Sequence, residues 1–277
     1  MPELPEVEQV RRGIEPILRG QRVVAVRLLR SDYLEPMGAD ARQIEGTYCV
    51  KTHRHGKRLF CEFSAGVTLR FHLGMSGRIY AAGSGEPLSP HTHFVIKLES
   101  GRELRMSDPR RFGGIALYSS VASAVAAEIT GKVGVDALKL KPVDLTVWRS
   151  LKSSVKMRLL SQREVAGLGN IYIDEALWQA GIHPLTHVNR IAPAQLASLV
   201  GAVKKLLRRS ISMGGTTLRD YRNVQRQPGR FAQMLQVYGR AGEPCRRCGC
   251  ELKGIRVCAR ATVLCPQCQP KHKGRQS

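Results

Sequence analysis

No stretch of the 277-residue chain approaches the roughly 18–20 consecutive apolar residues that a membrane-spanning helix needs. The amino terminus also lacks a basic segment followed by an apolar stretch, so no secretory signal is expected and the cytoplasm is the expected compartment. No internal repeat is visible. Acidic residues are scarce: 22 Asp and Glu stand against 44 Lys and Arg, for a formal charge of +22. That imbalance implies a polyanionic partner, nucleic acid ahead of an anionic membrane. Apolar residues make up 43% of the chain, enough for packed cores and against global disorder. The length suits roughly two domains.

Periodicity divides the chain in two. PEVEQVRRGIEPILRG reads as a helix with Val7, Val10, Ile14, Ile17 and Leu18 on one side. VVAVRLL, TYCVKTH, RLFCEFS, VTLRFHL, HFVIKLE, RELRMS and GIALY then read as strands separated by turn signals, which suggests a β-sandwich over residues 1–118. Residues 119–141 read as a linker with a short helix. From Asp144 the pattern turns helical, with DLTVWRSLKSSVKMRLL, NIYIDEALWQAG and APAQLASLVGAVKKLLRRSISM as the main pieces of a domain at 142–232. TTLRDYRNVQRQPGRFAQ, at 216–233, is polar and reads as a mobile loop.

Six of the eight cysteines lie between Cys245 and Cys268. Cys245-x-x-Cys248 and Cys265-x-x-Cys268 each present two thiolates on a tight turn, and two such turns complete a tetrahedral Zn²⁺ site. A redox pair is the alternative. Four thiolates leave no open position, so one structural zinc is expected, in a finger at 236–270. Cys250 and Cys258 fall outside the paired spacing; Cys49 and Cys61 read as small core or near-surface residues. Residues 245–277, including the tail PKHKGRQS, carry eight Lys or Arg against one acid. Arg260, on the arm between the cysteine pairs, is the best phosphate candidate there.

The opening MPELPEVEQV places Glu3, Glu6 and Glu8 at the start of a strongly basic protein. Acids in a helix's first turn suit its dipole. A second explanation follows if Met1 is removed, since Pro2 then carries a free secondary amine. An α-amino group titrates near ~8 rather than lysine's ~10.4, so a usable fraction is unprotonated at neutral pH. Such an amine can attack a sugar's anomeric carbon to form a Schiff base, with Glu3 as proton donor.

PELPEVE, HLGMSG at 72–77, DPRRFGG at 108–114, GLGNIY at 167–172, QVYGRAGEPC at 236–245 and the closing cysteine pairs resemble the formamidopyrimidine-DNA glycosylase (Fpg/Nei) family over essentially the whole chain. The opening is closer to that enzyme than to the endonuclease VIII branch. The resemblance implies an α+β multidomain fold: an amino-terminal helix with a β-sandwich, a helix–two-turn–helix domain and a carboxy-terminal zinc β-ribbon. It implies a monomeric DNA glycosylase and abasic-site lyase of base excision repair. Its substrate would be double-stranded DNA bearing 8-oxoguanine, formamidopyrimidines or abasic sites, and its strand cleavage would proceed by β,δ-elimination.

By the same resemblance Pro2 is the nucleophile, Glu3 the proton donor, Lys57 the proton donor for β-elimination and Arg260 that for δ-elimination. His72, His91 and Asn170 contact DNA. Met75, Arg110 and Phe112 fill the gap left by the extruded base, Arg110 facing the orphaned cytosine. Core packing remains the other explanation for Met75 and Phe112, although Gly113 and Gly114 favour a loop tip. Asn170 can also cap the helix it precedes. Glu6 and Glu175 are supporting carboxylates, with helix-dipole stabilisation the alternative for Glu6. The loop at 216–233 would close over the base. Ser161-Gln162 and Val133-Gly134-Val135 depart from the family's usual Asp-Gln and Leu-Gly-Pro, away from the chemistry. An inactive damage-binding protein and a zinc-ribbon RNA-binding protein fit the charge as well, but neither needs Pro2, Glu3 and Lys57 together.

Overall fold

The structure is a computed structural model and describes residues 2–37, 39–219 and 221–271. The trimming of Met1 and the tail 272–277 lie outside those residues. Packing separates two compact units, 1–132 with 210–232, and 133–209 with 233–277. By packing, residues 210–232 group with the amino-terminal unit.

The first unit begins with α1, Leu4–Leu18. Val7, Val10, Ile14, Ile17 and Leu18 recur every three or four residues and are all buried, so one stripe of the helix faces the core. Nine strands accompany it: β1 (Val23–Leu28), β2 (Leu34–Glu35), β3 (Cys49–His55), β4 (Arg58–Phe63), β5 (Thr68–His72), β6 (Arg78–Gly83), β7 (Thr92–Leu98), β8 (Arg102–Ser107) and β9 (Gly114–Tyr118). They form a four-stranded sheet, β1-β7-β8-β6, and a five-stranded sheet, β2-β9-β5-β4-β3. Leu59, Leu69, Phe71 and Ile115 from one sheet share a core with Ile79, Phe94, Ile96 and Leu104 from the other, and α1 lies against it. The expected β-sandwich with an amino-terminal helix is present. The short helix expected in the 119–141 stretch is present as α2 (Val121–Glu128).

β6 is not legible as a strand, because RIYAAG ends in poor strand formers; pairing with β8 at the sheet edge supplies what propensity does not. The loop 216–233 is less free than its polar composition suggests. Tyr221 and Val224 belong to the sandwich core and Phe231 is buried. Cys49 and Cys61 are buried in that core as well.

The second unit contains β10 (Val135–Asp136), α3 (Val155–Leu160), β11 (Val165–Ala166), α4 (Asn170–Ala180), most of α5 (Pro193–Ser212), and a hairpin of β12 (Lys253–Val257) and β13 (Arg260–Leu264). The run DLTVWRSLKSSVKMRLL is not one helix. A 3₁₀ turn over Pro142–Ser150 buries Leu145 and Trp148, and Ser154 then caps α3 by accepting the Met157 N–H. Among the described residues, no helix is long and apolar enough to cross a membrane.

Lys156 of α3 and Asp174 of α4 form an ion pair at 2.5 Å with both side chains fully buried. Burial raises the Asp174 pKa to about 6 against the pull of the Lys156 charge. Removing one partner of such a pair leaves an uncompensated charge, at a cost of about 3–5 kcal/mol. Lys156→Met should therefore lower the urea-unfolding free energy by about that amount, and Lys156→Met with Asp174→Leu should recover part of the loss.

Candidate functional site

Helix α1 organises the amino terminus. Glu3 is its N-cap residue, and both Pro2 and Glu3 are buried. Glu6, 1% exposed, uses its carboxylate twice. One oxygen accepts the Glu3 N–H at 2.8 Å, and the other accepts the Thr216 N–H at 2.7 Å. The Tyr221 hydroxyl also donates to the Glu6 carbonyl at 3.4 Å. Gly215 has φ +85°, and a Cβ there would lie 3.0 Å from the Glu6 carboxylate, so glycine is needed for the approach. Glu6 thus joins the two explanations offered by the sequence: it closes the first helical turn and fixes the Pro2–Glu3 segment against the 214–216 backbone. Glu8 pairs with Arg11, Arg12 and Arg54. Burial opposes its ionisation, but hydrogen bonds from Arg11 and Arg12 and the charges of Arg11 and Arg54 outweigh that, holding its pKa at about 2.

Lys57 occupies the second position of a two-residue hairpin loop between β3 and β4. Gly56 takes φ +57° at the first, as a type II′ turn demands. Arg54 donates to the Gly56 carbonyl at 2.9 Å and to Glu8 at 3.3 Å, which steadies the turn. Arg58 and Arg70 both reach Glu128 at 2.7 Å. Burial would raise the Glu128 pKa, but the Tyr118 hydroxyl, Arg70 and Arg58 together hold it at about 2. His72 pairs with Arg58 across β4 and β5. Burial, then the charges of Arg70, Arg58 and Lys57, push its imidazole down to about 4.

Two loops of the same unit are locked backbone to backbone. Gly74 has φ +56°, and a Cβ on it would lie 2.3 Å from the Phe112 carbonyl carbon. The hub is Asp108, fully buried, a residue present in the quoted DPRRFGG but given no role from sequence. It accepts from the Ser76 hydroxyl at 2.5 Å, the Gly113 N–H at 2.7 Å and the Tyr33 hydroxyl at 3.3 Å. Ser76 in turn accepts the Arg110 N–H at 3.1 Å. Phe112 is left 56% exposed, which removes core packing as its explanation. The Arg110 guanidinium lies 4.9 Å from the centre of its ring. Met75 is half-buried beside this tip and His91 is exposed, its carbonyl accepting the Asp108 N–H at 3.0 Å.

In the second unit α4 presents a face to the hairpin. Asn170, Asp174 and Trp178 are four residues apart. Asn170 donates from Nδ2 to the Ala261 carbonyl at 2.7 Å, Asp174 accepts the Val263 N–H at 3.1 Å, and Trp178 lies under Arg247 at 4.1 Å. Asn170 is the first helical residue and Gly169 the N-cap, so Asn170 does not cap the helix as expected; its side chain holds the hairpin instead. Glu175 accepts the N–H groups of Gln236, Val237 and Tyr238 at 2.8–2.9 Å, a backbone-positioning task. Gln162 accepts the Gly167 N–H at 2.9 Å and donates to the Leu168 carbonyl at 2.7 Å, shaping the turn into α4. Ser161 beside it takes no part in that turn; its hydroxyl bonds within its own turn of backbone, to the Arg158 carbonyl and the Arg163 N–H. The hairpin tip puts Cys258 and Ala259 at φ +49° and +57°, and Arg260, which follows, is exposed.

The sulfur atoms of Cys245, Cys248, Cys265 and Cys268 all lie within 4.8 Å of one another. Separations of 3.9, 3.4 and 3.5 Å bracket the edge of about 3.8 Å that a tetrahedron with ~2.3 Å Zn–S bonds requires. These thiolates can hold a structural zinc. Cys250 packs beside the cluster, and its carbonyl accepts the Cys245 N–H at 2.8 Å.

The profile of the formamidopyrimidine-DNA glycosylase N-terminal domain matches residues 1–115, and that of the formamidopyrimidine-DNA glycosylase H2TH domain matches residues 136–222. The chain is 42% identical over 274 residues to the formamidopyrimidine-DNA glycosylase of Shewanella loihica, covering 98% of this chain and 100% of that one. It is 41% identical over 280 residues to the enzyme of the same name from Herpetosiphon aurantiacus, covering 97% and 100%. Among solved structures, the Lactococcus lactis Fpg in complex with DNA containing an abasic site has a TM-score of 0.91 at 32% identity, covering 97% of this chain and 100% of that one. The wild-type Lactococcus lactis enzyme with N7-benzyl-Fapy-dG DNA gives the same TM-score and identity, with 98% and 100% covered. With both domain profiles and full-length relatives in agreement, the chain belongs to the formamidopyrimidine-DNA glycosylase family.

Proposed function

We propose that the chain excises oxidised purines, 8-oxoguanine and formamidopyrimidines, from duplex DNA and then cleaves the strand at the abasic site, as a monomeric base excision repair enzyme of the cytoplasmic compartment. The observation that carries this is the buried Pro2–Glu3 segment, held at the start of α1 by the Glu6 carboxylate. With Met1 removed, the Pro2 amine attacks C1′ of the damaged nucleotide while Glu3 protonates the sugar ring oxygen. The base departs and an iminium links Pro2 to the opened sugar. Lys57 on its rigid hairpin assists loss of the 3′ phosphate, and Arg260 assists loss of the 5′ phosphate. Met75, Arg110 and Phe112 occupy the space of the extruded base, which suits an exposed ring and guanidinium locked on one loop. His91 and Asn170 contribute to DNA contact. When bound, zinc holds the hairpin that carries Arg260.

A neutral His72 meets phosphate as a hydrogen-bond donor, without a charge that titrates near neutrality. Its low pKa has a consequence for stability. Unfolded, it takes up a proton near ~6.5; folded, near 4. Between those values the unfolded chain binds more protons, so this contribution to stability is present above pH 6.5 and is lost as pH falls toward 4. His72→Gln should flatten the decline in unfolding free energy between pH 6.5 and 4.5 by about 1–2 kcal/mol, measured by urea titration.

Sodium borohydride should trap the protein covalently on duplex DNA bearing 8-oxoguanine opposite cytosine. Retention of Met1 should abolish the adduct, and Pro2→Ala, which keeps an α-amine but changes its substitution and placement, should slow its formation; full-speed incision by either would overturn the Schiff-base assignment to Pro2. Cys248→Ser should lower bound zinc, measured by plasma mass spectrometry, from about one ion per chain toward none. It should also weaken DNA binding by about tenfold or more as the Arg260 hairpin loses its staple.

A further inference from the structure

The arm 221–230 crosses the edge of the four-stranded sheet, and one residue there has no role in the chemistry above. Arg226 takes φ +64°, an uncommon conformation for a non-glycine residue. Its guanidinium lies 4.9 Å from the centre of the Tyr80 ring, pairs with Glu86 and reaches the Ala81 carbonyl at 3.4 Å. Tyr80 and Ala81 belong to β6, the edge strand. The Ala81 N–H donates to the Val224 carbonyl at 3.1 Å, so the arm adds a rung to that edge. The turn that presents Arg226 is rigid. Asn223 accepts the Gln227 N–H on its side chain at 2.8 Å, and its carbonyl accepts the Arg226 N–H at 2.9 Å.

Beside this contact lies a cavity of about 340 Å³ whose lining includes Arg78, Tyr80, Glu86, Arg222 and Arg226. Tyr221, Val224 and Phe231 anchor the arm in the core; beside the cavity, between Val224 and Phe231, its placement depends on the Arg226 contacts and the Asn223–Gln227 turn. The other end of the loop is fixed by Thr216 on Glu6. A segment pinned at both ends has fewer conformations to lose than one pinned at a single end.

We infer that Arg226 is a positioning residue that latches the 221–230 arm onto β6 through Glu86 and Tyr80, so that the loop is pre-set to receive an extruded base. This rests on the glycosylase activity proposed above. Loss of the latch transfers the ordering of the arm to the step in which a base must be held. Cleavage at an abasic site, where no base is present, is spared. A half-exposed ion pair with a cation–π contact supports an effect of about five- to thirtyfold.

The test is single-turnover kinetics of the full-length protein on two duplexes, one with 8-oxoguanine and one with an abasic site, with thermal unfolding as control. Arg226→Ala should slow base excision about five- to thirtyfold and Glu86→Gln about two- to fivefold, with abasic-site cleavage unchanged and the melting temperature lowered by only a few degrees. The charge-exchanged pair Arg226→Glu with Glu86→Arg should recover part of the rate. Equal losses on both duplexes would mean that Arg226 only attracts DNA, and would overturn the latch. Glu86→Gln separates the two directly, because removing an acid cannot weaken attraction to phosphate. Wild-type rates in both single variants would also overturn it. A wild-type protein inactive on both duplexes would instead refute the glycosylase assignment.

Discussion

One carboxylate holds the amino-terminal site together. Glu6 is buried, and a buried carboxylate without partners is costly. Its two oxygens are matched to two backbone N–H groups, one at Glu3 and one at Thr216, more than two hundred residues apart in sequence. Because a carboxylate accepts but does not donate, each oxygen fixes a main-chain direction rather than a side chain. The result is a defined position for Pro2 relative to the loop at 214–216. Gly215 follows from the same constraint, since only a residue without Cβ lets that backbone approach.

Asp108 and the acids of α4 repeat the device. Asp108 joins the Met75 loop to the Phe112 loop through a hydroxyl and a backbone N–H, and leaves the ring of Phe112 facing outward. Asp174 and Glu175, adjacent on α4, take the N–H groups of β13 and of residues 236–238. At Asp108 and Asp174 the backbone so held belongs to an element that carries a proposed DNA-contacting group, Arg110 and Phe112 in one and Arg260 in the other. The cationic or aromatic side chain at the tip is then free to meet a ligand. Such loops are more exact than their length and glycine content suggest, because main-chain hydrogen bonds to a buried acid leave little slack.

How much of this is legible in the sequence depends on the range of the interaction. The α1 stripe, seven of the nine strands in the sandwich and the paired cysteines follow from local period and spacing. Each of these signals spans at most a few dozen residues. Glu6 and Glu175 were visible as acids, but their partners at 216 and 236–238 are distant in sequence and carry no side-chain signal, being backbone N–H groups. Asn170 looked like a helix cap because its type favours one, while Gly169 takes that place and the amide goes to Ala261. The loop 216–233 looked mobile because polar residues, Gly and Pro outnumber the few apolar anchors, Tyr221, Val224 and Phe231, that decide its position.

The net charge of +22 takes on a sharper meaning in this light. Eight acids, Glu3, Glu6, Glu8, Glu103, Asp108, Asp136, Asp174 and Glu175, are buried among the described residues. Where their partners are seen, these are backbone N–H groups, hydroxyls, arginines or Lys156. Negative charge is therefore withdrawn from the surface and spent on internal architecture. Most arginines and lysines, by contrast, can keep their heads in solvent, where their charge gives the surface a positive field. The same 22 acids that make the chain look merely deficient in negative charge are thus partitioned by role. Several of those inside set the geometry of loops, whereas the positive sign of the outer field follows from the excess of 44 Lys and Arg over 22 acids, wherever the acids lie.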